Sequence, residues 1–147
     1  MTGAAVVART ACLWCPDWPV VALRSRDSAL CGEPVAVVER AERGLVVVAT
    51  SAEAAGEGVT PGLRRREAEA RCPGLTVAEA DPQIEARAFE QVARAVETLT
   101  PRFVLEAPGR LTFPTRGPSR YFGGDAAMAG RVLCAVGDIG ISDARVG

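Results

Sequence analysis

The sequence predicts an α/β fold, and three observations carry the prediction. Two β-branched runs, Pro34 to Val38 and Leu45 to Ala49, flank the polar stretch Glu39 to Gly44, as an antiparallel hairpin does. Behind Asp81-Pro82, a capping residue followed by proline at the first helical position, Ile84, Ala88, Val92, Val96 and Leu99 recur at helical spacing. Hydrophobic residues make up 48% and charged residues 24% of 147 residues, a globular composition with enough apolar material for one core.

The elements follow in order. Arg9 to Cys15 is a short apolar run that stops at Pro16-Asp17-Trp18-Pro19, as a buried strand entering a turn does. Val20 to Leu30 suits a short helix closed by Cys31-Gly32. After the hairpin, Thr50-Ser51 offers a helix N-cap, and Leu63 to Arg71 forms a charged helix that ends before Pro73-Gly74. Pro101 terminates the long helix. Phe103 to Leu105 and Leu111 to Phe113 form strands around the turn Pro108-Gly109, and Ala126 to Val136 is a further helix with Asp125 as its cap. No internal repeat or low-complexity stretch interrupts this succession.

Charge and cysteine usage exclude several function classes. All 17 basic residues are arginines, balanced by 18 acidic residues to a net charge of -1, so any nucleic-acid contact has to be local. The longest apolar runs fall short of the roughly 18 residues that span a bilayer, and a cytoplasmic protein without membrane contact is expected. Five cysteines with a single close pair, Cys12 and Cys15, and no histidine give no zinc or redox framework. Reduced thiols, no metal and no cofactor are expected.

The words Gly32-Glu33-Pro34-Val35-Ala36-Val37-Val38, Ala49-Thr50-Ser51-Ala52-Glu53-Ala54-Ala55 and Gly58-Val59-Thr60-Pro61-Gly62-Leu63 stand in the order of the opening of Y-family translesion DNA polymerases, which the chain resembles from Arg9 onward. Within that family, Leu13-Trp14, Pro16-Asp17-Trp18 and Arg120-Tyr121-Phe122-Gly123-Gly124-Asp125 resemble the degenerate ImuB-like branch. The resemblance implies a ferredoxin-like palm at residues 1–18 and 76–147, with a small fingers subdomain inserted at 19–75. It also implies truncation before the thumb, little finger and clamp-binding tail.

Active relatives bind two magnesium ions through aspartates at the end of the first palm strand and an Asp-Glu pair on a later one. The resemblance sets Pro16 and Asp17 at the first position and Gly109 and Arg110 at the second; using Glu106 instead sets Leu105 at the aspartate. The tyrosine and arginine that face the triphosphate correspond to Ala52 and Ala55, and alanine cannot imitate a bidentate phosphate clamp. A non-enzyme is therefore expected: a scaffold for an error-prone polymerase subunit and an accessory mutagenesis protein in DNA damage tolerance and induced mutagenesis. It would bind damaged or primer-template DNA weakly. Arg64, Arg65, Arg66, Arg71 and Trp18 are the candidate contacts to DNA or partner, although the arginines read more readily as a solvated helix face paired to Glu67 and Glu69. The alternatives are a translesion polymerase fragment with residual nucleotidyl transfer and a stand-alone interaction domain.

Overall fold

The computed structural model describes residues 9–116 and 118–147. Backbone contacts divide the chain into two units, one of residues up to Pro16 together with Phe89–Gly147, the other Asp17–Ala88. The α/β class and the arrangement of a palm-type layer with an inserted smaller unit are as expected from the sequence.

The first unit is built on an antiparallel sheet of order β5-β6-β1-β7, with β1 at Thr10–Trp14, β5 at Val104–Ala107, β6 at Arg110–Pro114 and β7 at Arg145–Val146. Strands β1 and β6 pair Leu13 with Leu111 and Ala11 with Phe113. Side chains alternate across a strand, so these four residues share one face, on which Leu13, Leu111 and Phe113 are buried. Helix α4 (Pro82–Glu97) begins in the second unit and buries Phe89, Val92, Ala93 and Val96 in the first, while α6 (Asp125–Asp138) buries Met128, Val132 and Val136 at steps of four residues. The short helix α5 (Pro118–Phe122) precedes α6.

In the second unit, β2 (Val35–Ala41) lies between β3 (Gly44–Thr50), antiparallel to it, and β4 (Thr76–Glu79), parallel to it. Val35 to Val38 are buried without a break because both faces of this sheet are covered. Ala36 and Val38 pack with Ala54, Ala68 and Cys72 of the segments that carry α2 (Ala52–Gly56) and α3 (Arg65–Arg71). Val35 and Val37 pack with Val20 and Leu23 of α1 (Trp18–Arg26). The capping of α2 is as the sequence indicates: the Ser51 hydroxyl accepts from the Ala54 amide at 3.2 Å.

Several expectations change. Residues from Thr76 do not start the palm layer: β4 runs beside β2 in register Val35 to Thr76, so the strand belongs to the smaller unit. That strand is short and ends in charge, which hid it among turn residues. The expected helix Val20 to Leu30 is α1 followed by a separate 3-10 turn at Ser28–Leu30, where the Asp27 carboxylate accepts from the Ala29 amide. Asp125 is the first helical residue of α6, with Gly124 at the cap, and its carboxylate pairs with Arg9 at 3.2 Å. The glycine takes the cap because it sits at φ +126°, a region closed to most side chains.

Candidate nucleic-acid interface

In the first unit the pairing of β1 with β6 places Trp14 opposite Arg110, and the Cys15 amide donates to the Gly109 carbonyl at 2.8 Å. The β1 end, Cys15-Pro16, and the turn residues Gly109-Arg110 are thus brought to one strand end. Gly109 has φ +93°, which gives this position a conformational reason for glycine. Arg110 is exposed. Burial pushes the Cys15 thiol up to about 11, so it stays protonated at neutral pH. Glu106, on the exposed strand β5, accepts from the Thr112 hydroxyl at 3.2 Å.

The magnesium pair that the resemblance implies needs several carboxylate oxygens at one place. Of the positions that the resemblance assigns, Pro16, Gly109 and Arg110 carry no carboxylate and Asp17 carries one.

In the second unit Asp17 opens α1 with φ 53°, an unusual backbone for a residue with a side chain but one that aspartate tolerates. Its carboxylate accepts from the Thr50 amide at 3.1 Å, tying the start of α1 to the end of β3. Trp18 is buried at 3% exposure and its indole N–H donates to the Glu85 carbonyl at 2.9 Å. This corrects its place among the candidate contacts, since a ring packed inside the unit offers nothing to DNA or a partner. The sequence alone left Trp18 open between an interface anchor and a core residue, and its burial decides for the core.

Ala52 and Ala55 lie exposed on α2, while Ala54 faces the core. Between them Glu53 receives Arg24 at 2.8 Å, and that hydrogen bond holds its carboxyl below the usual carboxylate range. Arg24 also donates to the carbonyls of Leu30 at 3.0 Å and Glu33 at 2.7 Å. It clips α1 to the following turn and to α2. Sequence reasoning passed over Arg24, whose partners at 6, 9 and 29 residues' distance leave no local pattern.

The arginines of the 64–71 segment separate into different roles. Arg71 donates to the Gly58 carbonyl at 2.9 Å and serves the loop before it. Arg65 pairs with Glu69 one helical turn on, at 3.1 Å with both side chains about half exposed, the solvated-face arrangement. Arg64 and Arg66 are exposed and line a shallow groove of about 350 Å³ together with Arg65, Leu45, Gly44 and Arg43. Arg43, in the turn between β2 and β3, was not among the sequence candidates, because only the folded docking of the 62–64 segment on β3 brings it to the groove.

Comparison with known proteins agrees with this architecture. The sequence profile of the impB/mucB/samB family matches residues 13–130. A post-insertion binary complex of Dbh DNA polymerase superposes with a TM-score of 0.81 at 11% identity, and an insertion ternary complex of Dbh DNA polymerase with 0.76 at 12%. DinB from Sulfolobus solfataricus superposes with 0.74 at 12% identity. In each case 94% of this chain and 41% of the other are covered, so the chain spans about two-fifths of the length of these structures. No curated protein matches the sequence. The expectation of a non-enzyme is overturned by these findings, because the structures that share the fold are DNA polymerases. The side chains at one strand end do not decide the class of the whole chain. With its profile matched over residues 13–130 of 147, the chain belongs to the impB/mucB/samB family, whose fold is that of the Y-family polymerases' palm and fingers.

Proposed function

We propose that the chain is the palm-and-fingers portion of a DNA-damage-tolerance protein that engages primer-template DNA. The observation that carries this reading is the family match over most of the chain together with a polymerase-type fold over 94% of it. A net charge of -1 supplies no global attraction to DNA, so contact by this portion rests on local arginines and is weak, micromolar or weaker, with a steep dependence on salt. The finer reading is an ImuB-like role in induced mutagenesis, in which the protein assembles with an error-prone polymerase subunit and an accessory mutagenesis protein. Leu13-Trp14, Pro16-Asp17-Trp18 and Arg120 to Asp125 support it. Within that last segment Tyr121 is 84% exposed and packs edge-on against Phe122, an aromatic placed to anchor a partner.

The test is binding of the full-length protein to a fluorescent primer-template, followed by capture of the polymerase subunit from cells in which DNA damage has been induced. DNA binding with capture that weakens on Tyr121→Ser supports the finer role; DNA binding without capture rejects it and leaves the broader reading in place. A second reading, templated nucleotide addition by the full-length protein, is favoured by the polymerases that share the fold. Primer extension that rises with magnesium would select it.

A further inference from the structure

The groove between the β2–β3 turn and α3 is made by the fold rather than by sequence proximity. The Val47 amide donates to the Leu63 carbonyl at 2.8 Å and the Gly62 amide to the Val47 carbonyl at 2.9 Å. A single bridge between Val46 and Arg64 continues this strand-like docking. Arg64, Arg65 and Arg66 are thereby held against the end of the hairpin that carries Arg43, some twenty residues away in the chain. Four arginines line one concavity, and no acidic residue lines it. Only Arg65 has an acidic partner; the guanidiniums of Arg43, Arg64 and Arg66 have neither an ion pair nor a hydrogen bond among the described residues.

Clustered like charges repel, and a fold that gathers four of them with one paired carboxylate leaves an excess of positive charge that an anion relieves. Guanidinium is also the side chain best matched to phosphate, through parallel N–H donors. We infer that this groove is a binding site for the phosphodiester backbone of a DNA strand, with Arg43, Arg64 and Arg66 as its phosphate ligands. The inference rests on the reading that the protein engages DNA, and it names the part of the fold that does so. The lining contains no aromatic ring on which a base could stack and a single apolar side chain, Leu45. Recognition is therefore of the backbone and indifferent to base sequence. An acidic peptide fits less well, because its carboxylates come singly along a chain whose other side chains need apolar or hydrogen-bonding partners that the groove lacks.

The experiment compares the full-length protein with its R43Q/R64Q/R66Q variant and with R26Q/R87Q/R94Q, which removes the same charge from exposed arginines outside the groove. Circular dichroism establishes that each is folded. Three probes are titrated from low to moderate salt: single-stranded oligo-dT, single-stranded oligo-dA and a blunt duplex. For three single-strand phosphate contacts, the salt slope of log affinity should fall by about 2 in the groove variant, with roughly tenfold weaker binding at low salt. The control triple should lose clearly less, and dT and dA should behave alike. Loss confined to the single strands identifies an unpaired strand as the source of the phosphates; loss on the duplex as well identifies either strand. Unchanged DNA affinity and salt slope in the groove variant would overturn the inference while leaving the DNA reading intact. Absence of DNA binding by the unsubstituted protein would instead refute that reading and the groove with it. Displacement of DNA by oligo-glutamate at matched charge concentration, lost in the groove variant, would reassign the site to acidic peptides.

Discussion

Replacing Ser51 by alanine removes one hydroxyl that serves three backbone groups. The Ser51 oxygen caps α2 by accepting from the Ala54 amide at 3.2 Å, accepts from the Val35 amide at 2.9 Å, and donates to the Glu33 carbonyl at 3.4 Å. Ser51 is 3% exposed and Val35 is fully buried, so water cannot take over these bonds. Loss of an N-cap costs about 1 kcal/mol. An orphaned buried amide costs about 1–3 kcal/mol more. The predicted destabilisation is about 2–4 kcal/mol, which for a chain of this size lowers Tm by roughly 4–16 °C. Thermal unfolding followed by circular dichroism measures it, and hydrogen exchange locates it, with the Val35 and Ala54 amides losing protection first. Ser25→Ala is the control, because its hydroxyl only donates back to the Ala22 carbonyl within α1 and its loss should stay within about 0.5 kcal/mol. A Ser51→Ala protein as stable as the control would refute the claim that this hydroxyl joins α2 to β2.

Arg24→Ala releases three acceptors at once and should cost about 1–2 kcal/mol, seen as a lower urea midpoint. Because Arg24 holds the Glu53 carboxyl below its usual range, that pair stabilises the fold above the unfolded carboxylate pKa of roughly 4.3 and its contribution is lost as pH falls through the lower folded value; the variant should lack this acid-side loss. Glu85 behaves in the opposite sense: burial, then the neighbouring charges of Glu39 and Asp81, raise its pKa despite a favourable backbone hydrogen bond. Its folded form prefers the proton, so stability falls as pH rises through that titration, and Glu85→Gln should raise Tm at neutral pH with no gain at pH values where both forms are neutral. Trp18→Phe removes the bond to the Glu85 carbonyl and replaces a buried indole by the smaller phenyl ring, so the lost hydrogen bond and lost packing together should cost about 2 kcal/mol or more. A neutral result in denaturant titration would contradict the buried role assigned to the indole.

What could be read from the sequence was what depends on local pattern. The long helix was legible because a cap, a proline and a 3.6-residue stripe coincide, and the Asp81 carboxylate does accept from the Gln83 and Ile84 amides. The hairpin was legible from two β-branched runs. Strand β4 was not, since Thr76 to Glu79 gains its identity from parallel pairing with β2, forty residues earlier, rather than from its own composition. The site was legible in part. The meeting of Cys15-Pro16 with Gly109-Arg110 follows from strand register, which neither segment carries in its own sequence. Trp18 was misplaced because its burial is decided only when the helix that accepts its N–H is folded beside it. Arg43 was missed because an isolated arginine in a turn acquires meaning only when Leu63 docks on Val47 and carries Arg64 to Arg66 alongside. In these cases the deciding interaction joins segments from 16 to 67 residues apart, a range over which periodicity carries no information.

The most direct test of the central claim is a titration of the full-length protein into primer-template DNA at several salt concentrations. The account predicts measurable binding at low salt that weakens steeply as salt rises, with part of the salt slope removed by R43Q/R64Q/R66Q. No binding to primer-template at low salt by a folded full-length protein would contradict it.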